Sequence, residues 1–409
     1  MGAVYLSVFF FMIGESALHV IVPPYLLKEL GLGPALIGTL AGVFGFASLL
    51  ARLPVGAIYR LRRARLLLLA GGSCSALAFA AVPLVNGALP FGVIMALDGV
   101  GWSVATTTQL ALLVAARPKG LSTTAAMGWY SGFTGLGHTV AGALGGVMAD
   151  RLGFDLSFFS LALLTALGTA ILVRTVGRVM LREQSTDQVA EAPIEPRGWG
   201  RQTWRGLASM PAIVWAGVLV MAYINLVNGL VRTFQPVIAL QAGLSLTQIG
   251  ILASCRSWAS SSVRLGSGPI FSRVGARHLT SPLVLVAAAS VFLIPTFSAS
   301  FVLQIPLFLM MGMSRGLLRV TGSADAFDGA RDDDRQHGLV AALLHSGLDV
   351  GRVGGPVVGG VVAQFVGLAA MFRVVPLALV ALYFPLALAT RRAGARRLTA
   401  EDAERAPFD

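Results

Sequence analysis

Eleven ionisable side chains fall inside long apolar runs of this 409-residue sequence: Glu15, His19, Asp98, His138, Arg232, Arg256, Arg315, Arg319, His345, Asp349 and Arg352. Keeping such a group from water is costly, so each is a candidate for function. Two chemistries are represented. Carboxyl and imidazole groups carry protons, and a carboxyl among apolar neighbours keeps its proton more readily than one in water. Glu15 and His19 are four apart and share one helix face, where they can exchange a proton or form a static pair. Asp98 and Asp349 complete the proton-coupling candidates. Guanidinium groups have a planar fork that matches carboxylate and phosphate. Arg232, Arg256, Arg315 and Arg352, with His138, are the candidates for binding substrate. The mid-run arginines outnumber the mid-run acids, which leaves positive charge to meet an anion. Arg319 can instead snorkel to an interface, as can Arg232 if it lies nearer the far end.

These residues need elements that hold them at membrane depth. The chain is 56% hydrophobic and only 12% charged, with a mean hydropathy of +0.77; a soluble domain carries about 25% charged residues. Twelve apolar segments have helical length for a bilayer core: 3–24, 34–58, 65–86, 89–115, 123–148, 155–177, 208–234, 245–271, 278–298, 300–322, 338–365 and 369–390. The alternating pattern of a membrane β-barrel is absent. Segments 3, 6, 9 and 12 have essentially no ionisable residues away from their ends, so they can face lipid while the others face protein or water. The net charge of +12 does not point to nucleic acid, because the basic residues cluster in alternate loops. Arg60, Arg62, Arg63 and Arg65 follow segment 2, and Arg391, Arg392, Arg396 and Arg397 follow segment 12. The other loops hold few. That alternation predicts a multi-pass protein of a bacterial-type inner membrane with both termini cytoplasmic. The polar stretch from Arg178 to Gly206 reads as a cytoplasmic linker. The expected division is a six-helix bundle over 1–177, a linker over 178–207, a second bundle over 208–390 and a cytoplasmic tail over 391–409.

The two bundles are copies. Pro24–Ile58 and Pro236–Ile270 align without a gap at an offset of 212 and agree at Pro24/Pro236, Gly31/Gly243, Gly38/Gly250, Ser48/Ser260, Arg52/Arg264 and Gly56/Gly268. A period of half the chain indicates a duplicated half, not a solenoid. The repeat makes Asp98 equivalent to Arg315, each just before a glycine, so a bridge across the halves is expected between them. His138 is the repeat partner of Arg352. Asp349 and Arg352 are three apart and predict a local pair on one helix face.

Twelve segments as six plus six, a polar link between them and an Arg/Gly motif after segments 2 and 8 resemble the major facilitator superfamily of secondary transporters. The motif of that family reads approximately G-x-L-A-D-R-x-G-R-K. Gly268, Phe271, Ser272, Arg273, Gly275 and Arg277 resemble it in the second half, and Gly56, Ile58, Arg60 and Arg63 in the first. Neither copy has the usual Asp. The resemblance implies gating or loop roles for these residues and for Arg52 and Arg264. Gly355-Pro356-Val357-Val358-Gly359-Gly360 looks like the G-P-x-x-G-G motif of drug/proton antiporters, although there it belongs to segment 5. Here Gly355, Gly359 and Gly360 read first as helix-packing positions and Pro356 as a bend. The fold implied is all-α, with twelve transmembrane helices in two pseudo-symmetric bundles and a substrate site between them.

Competing chemistries are excluded. No Walker loop is present, and Gly99-Val100-Gly101 follows no strand. The acidic run Asp325 to Asp334 lacks calcium-loop spacing, and Cys74 and Cys255 make no metal or disulfide framework. An enzyme, a cofactor and a metal are not expected; the proton gradient is the expected energy source. The expectation is a monomer that moves a small organic solute by alternating access, with proton-coupled efflux first. The alternative is proton-coupled transport or uptake of an organic anion held by second-half arginines. A third reading, of another class, is a non-transporting membrane sensor.

Overall fold

Every described segment of the chain is helical or a short turn, and the glycines that end the helices recur with the repeat. The structure, a computed structural model, describes residues 2–59, 61–115, 123–183, 210–267, 276–328 and 334–404. In chain order the helices are α1 (Gly2–Lys28), α2 (Pro34–Ile58), α3 (Ala64–Ala81) and α4 (Ala88–Ala115). A long helical stretch, Thr123–Glu183, turns back on itself at Gly153 (φ 78°) and so supplies two arms, α5 (123–152) and α6 (154–183). Then come α7 (Ala212–Gln241), α8 (Leu246–Leu265), α9 (Ala276–Leu293), α10 (Phe301–Asp328), α11 (Asp334–Val366) and α12 (Leu368–Glu404).

The helices overrun several expected limits. α1 continues to Lys28 through Pro23 and Pro24, α6 continues to Glu183, and α12 carries helix into the expected tail as far as Glu404. Most of the expected linker lies outside the described residues, as do Arg60, Gly268, Arg273 and Gly275 of the loop motif, the surroundings of Gly56 and the side chains of Arg277 and His345. The turn between α1 and α2 needs a left-handed residue at Gly31 (φ 59°), and the turn between α7 and α8 needs one at Gly243 (φ 91°). Gly153 and Gly367 (φ 83°) play the same part between α5 and α6 and between α11 and α12. A side chain at any of these would strain the backbone.

Eight described helices, the Thr123–Glu183 stretch counted as one, are long and apolar enough by themselves to cross a membrane. α8 and α11 are not among them. Both carry arginines and several other polar residues, so they need protein on most sides. They obtain it at the seam between the halves: α8 packs against α5 and α10, and α11 against α2 and α7. α1 and α7 also meet each other across the seam. α3 packs mainly on α4 and α6, and α12 on α7, α9 and α11, with exposed leucines such as Leu66, Leu77 and Leu382 turned outward.

The two main seam contacts, α2 with α11 and α5 with α8, are closest at the face remote from the chain ends. A Cβ placed on Gly360 would lie 2.8 Å from the Pro34 carbonyl oxygen and 3.1 Å from the Gly38 Cα, and one on Gly142 would lie 2.7 Å from the Gly250 carbonyl oxygen. Backbone therefore meets backbone at both seams. The Ser254 hydroxyl of α8 donates to the Thr139 carbonyl (2.5 Å) and accepts from the Ala143 N–H (2.8 Å). Those two groups are one turn apart on α5, so a single hydroxyl of α8 bonds both ends of that turn. Asp150 at the end of α5 takes the Leu246 N–H (3.1 Å) and the Thr247 N–H (2.6 Å) at the start of α8. Its repeat equivalent, Gln364, lies over Gly33 at the start of α2.

Replacing Gly250 by valine forces α5 and α8 apart. In a background without Cys74 and Cys255, disulfide cross-linking of Asp150→Cys to Thr247→Cys is expected to be efficient, and Gly250→Val to lower its yield at least about threefold. Equal yields would mean that the glycine contact does not hold the seam.

Candidate functional site

The seam gathers most of the charge. Arg52 comes from α2, Arg232 from α7, Arg256 and Arg264 from α8, Arg315 and Arg319 from α10, and Arg352 from α11. The described carboxylates at comparable depth are three: Glu15 on α1, Asp98 on α4 and Asp349 on α11. Their distribution among the arginines decides what the site can hold.

Asp349 takes two arginines. Its Oδ2 lies 3.8 Å from Arg52 across the seam and its Oδ1 lies 3.7 Å from Arg352 one turn along α11. The expected local pair is therefore present, with a second cation from the other half added to it. This places a carboxylate of α11 against a cation of α2 next to the loop motif that lacks its Asp.

Glu15 and Asp98 take none. They face each other between α1 and α4, beside the Ser75 hydroxyl of α3. Glu15 is 1% exposed and Asp98 0%, and none of their four oxygens makes a hydrogen bond of ordinary geometry. The bridge expected between Asp98 and Arg315 is absent: among the described residues no ion pair joins them. Repeat equivalence fixes depth in the bundle, but the rotation of each helix fixes the direction of its side chain, and α4 turns Asp98 toward α1 and α3. The Glu15–His19 pair also separates. Glu15 turns to α3 and α4, whereas His19 packs edge-on against Phe44 (4.8 Å between ring centres) and looks toward Arg232 and Arg352 of the second half.

Arg232, Arg256, Arg315 and Arg319 have no carboxylate at ion-pair distance among the described residues. Arg315 lies near Arg256, Arg319, Arg264 and Arg232, and Arg232 lies near Arg256 and Arg352. Arg256 is only 7% exposed, yet its Nε and one terminal nitrogen have no partner, and the Arg315 Nε has none either. Arg264, by contrast, is spent on its own helix, with Nε donating to the Ser260 carbonyl (3.0 Å). His138 of α5 reaches the same centre and shares a hydrogen bond through Nδ1 with the Ser16 hydroxyl of α1.

A narrow cleft, with a free volume of about 10 Å³, lies beside this cluster. Arg256 and Arg315 line it with Tyr223, Asn228, Ile224, Val227, Met311 and Leu318. Its wall thus offers two guanidinium groups, one amide and an otherwise apolar surface. Tyr223 is held in place by donating to the Val284 carbonyl of α9 (3.1 Å), and the neighbouring Asn225 donates to the Leu348 carbonyl of α11 (2.7 Å).

Of the sequence candidates, Arg232, Arg256, Arg315, Arg352 and His138 meet in one region, while Glu15 and Asp98 form a separate site behind Arg232. Gly355 and Gly359 lie against α7, and Gly360 against α2. Sequence reasoning missed Ser75, Ser254, Asp150 and Tyr223. The small-residue run Gly71-Gly72-Ser73-Cys74-Ser75 in an otherwise bland segment was the one signal available for Ser75. Among the described residues no group of three or more His, Cys, Asp or Glu side chains is arranged to hold a metal.

Removing the shared carboxylate exposes its structural weight. Asp349→Asn is expected to destabilise the protein by about 1–3 kcal/mol, because two guanidinium groups lose their counter-charge. Thermal unfolding in detergent measures this. Combining Asp349→Asn with Arg52→Gln is expected to give less than the sum of the single effects; strict additivity would mean that the two residues do not interact.

The family model of the Major Facilitator Superfamily matches residues 4–335. Among solved structures, the crystal structure of nucleoside transporter NupG is similar with a TM-score of 0.73 and 13% sequence identity, covering 96% of this chain and 98% of that one. A bacterial homologue to the human lysosomal transporter Spinster, in an inward-facing and unoccupied conformation, is similar with a TM-score of 0.70 and 13% identity, covering 96% of each chain. At these identities the likeness is one of fold. No curated protein matches the sequence.

Proposed function

The chain belongs to the Major Facilitator Superfamily, a family of secondary transporters that work by alternating access, and from that premise we propose that its cargo is a small organic anion moved with the help of the proton gradient. One observation carries the choice of cargo: four arginines, Arg232, Arg256, Arg315 and Arg319, stand at the seam with no carboxylate of their own. An arginine at the centre of a membrane helix costs about 2.5–3.5 kcal/mol even by the lenient insertion scales. A cluster of them without counter-charge is a site waiting for an anion. Arg256 and Arg315 grip the charged end of the cargo, and Arg232, Arg352 and His138 lie on its path. The apolar wall of Ile224, Val227, Met311 and Leu318 takes the carbon body.

This reading favours the alternative of the sequence expectations over efflux of a generic organic compound. The carboxyls that a cationic compound would need sit behind Arg232, buried between α1, α3 and α4. In the proposed cycle the halves 1–177 and 208–390 rock about the seam as units. The α2–α11 and α5–α8 contacts close the face remote from the chain ends, and Asp349 with Arg52 gates the other. The basic loops support a cytoplasmic position for that second face, in an inner membrane. Glu15, Asp98 and Asp349, with His19, are the groups available to carry protons.

Purified protein in proteoliposomes tests the cargo. Uptake of radiolabelled benzoate, succinate and phosphate, and of a tetraalkylammonium cation as control, is measured under an imposed pH gradient. Transport of at least one anion and none of the cation is expected, and Arg256→Gln and Arg315→Gln are each expected to lower that transport at least about tenfold. Movement of the cation alone, or anion flux indifferent to both changes, would refute the reading.

A further inference from the structure

Glu15, Asp98 and Ser75 bring five oxygen atoms from three helices into a space closed to water. Glu15 is 1% exposed, and Asp98 and Ser75 are 0% exposed. Both oxygens of each carboxyl and the Ser75 hydroxyl lack a hydrogen bond of ordinary geometry. Two ionised carboxylates side by side in a dry interior repel each other, with one hydroxyl as the sole donor among them. A single proton resolves this, because it makes one carboxyl a donor and the other an acceptor. The groups facing the pair are few. From α3 come Ser75 and the Cys74 thiol, whose Sγ donates to the Leu97 carbonyl (3.2 Å). From α6 Thr165 abuts the adjacent Gly14. From α7 comes Arg232, the one cation among them.

Arg232 lies within electrostatic reach of Glu15 and also of Arg256 and Arg352 of the anion centre, with His19 and His138 close by. With the centre empty, Glu15 is the carboxylate nearest to Arg232, and the guanidinium favours a negative charge on the carboxyl pair. An anion arriving among Arg232, Arg256 and Arg352 supplies that counter-charge instead. The pair then has no cation to balance it and takes a proton.

We propose that the Glu15–Asp98 pair holds one proton when the anion centre is empty and two when it is full, with Arg232 linking the two sites, so that anion and proton travel in the same direction. The inference rests on the reading of the arginine centre as an anion site. Charge balances at each step: a monovalent anion enters with one proton taken from water on the open side, and the net charge of the seam is unchanged. Reciprocity follows, since a proton on the pair frees Arg232 and raises affinity for the anion by the same factor. The loaded protein is electrically equivalent to the empty one, and both can reorient. A protein carrying only the anion or only the proton leaves an unbalanced charge in the seam and is held back.

Titration calorimetry on the full chain in nanodiscs counts the protons. Benzoate, succinate and phosphate are each added in two buffers of different ionisation enthalpy, near neutral pH. The wild-type protein is expected to take up about one proton per monovalent anion bound, and affinity to fall by up to about tenfold for each pH unit of rise. Glu15→Gln and Asp98→Asn are each expected to bring proton uptake close to zero. Arg232→Lys, which keeps the charge, retains uptake, whereas Arg232→Gln binds more weakly and takes up none. Anion binding by the wild type without proton uptake, or with proton release, overturns the proposal and leaves the anion site standing. Uptake that survives both carboxyl changes overturns the assignment to this pair. If none of the three anions binds, the reading of the arginine centre falls and this proposal with it.

Discussion

An arginine side chain at the depth of a bilayer core must find water, a counter-charge or a carbonyl, and the architecture of this protein follows from that need. Seven arginines from five helices stand at or near the seam between the halves, against one carboxylate, Asp349, that pairs with two of them. Lipid-facing positions cannot hold such groups, and α8 and α11, which are not among the described helices apolar enough by themselves to span a membrane, are packed between neighbours. The apolar helices α3, α6, α9 and α12 take the outer positions. The charge that remains unbalanced at the seam distinguishes a site from a structural ion-pair network.

The duplication supplies matched seams and leaves the chemistry to their differences. α2 meets α11 and α5 meets α8 through glycines at corresponding places, Gly38 with Gly360 and Gly250 with Gly146. Asp150 and Gln364 occupy equivalent positions over the starts of α8 and α2. The halves part company deeper in. The first carries Glu15, Asp98 and His138, and the second carries Arg232, Arg256, Arg315 and Arg352. The proposed proton site in one half and anion site in the other, joined through Arg232, would be a division of labour that two identical halves could not make.

Much of this frame was legible in the sequence because it depends on one-dimensional signals. Apolar run length marks spans, and the repeat aligns Gly31 with Gly243, which both prove to be left-handed; Gly153 and Gly367, also left-handed, came only with the structure. Partnerships were less legible. Asp98 and Arg315 are equivalent in the repeat, but equivalence sets depth and says nothing of rotation about the helix axis. Asp98 accordingly faces Glu15, which the spacing argument had assigned to His19. The Ser254 bonds to α5 and the Asp150 cap join residues more than ninety positions apart. No local pattern encodes such contacts, and only the packed helices reveal them.

The central claim is that the unpaired guanidinium groups hold an anion. Crystals soaked in bromide, whose anomalous scattering locates it without ambiguity, test this most directly. The account predicts a bromide peak within about 4 Å of the Arg256 and Arg315 guanidinium groups, lost in the Arg256→Gln protein. Bromide confined to the outer surface, with both guanidinium groups turned onto carboxylates or backbone carbonyls, would contradict it.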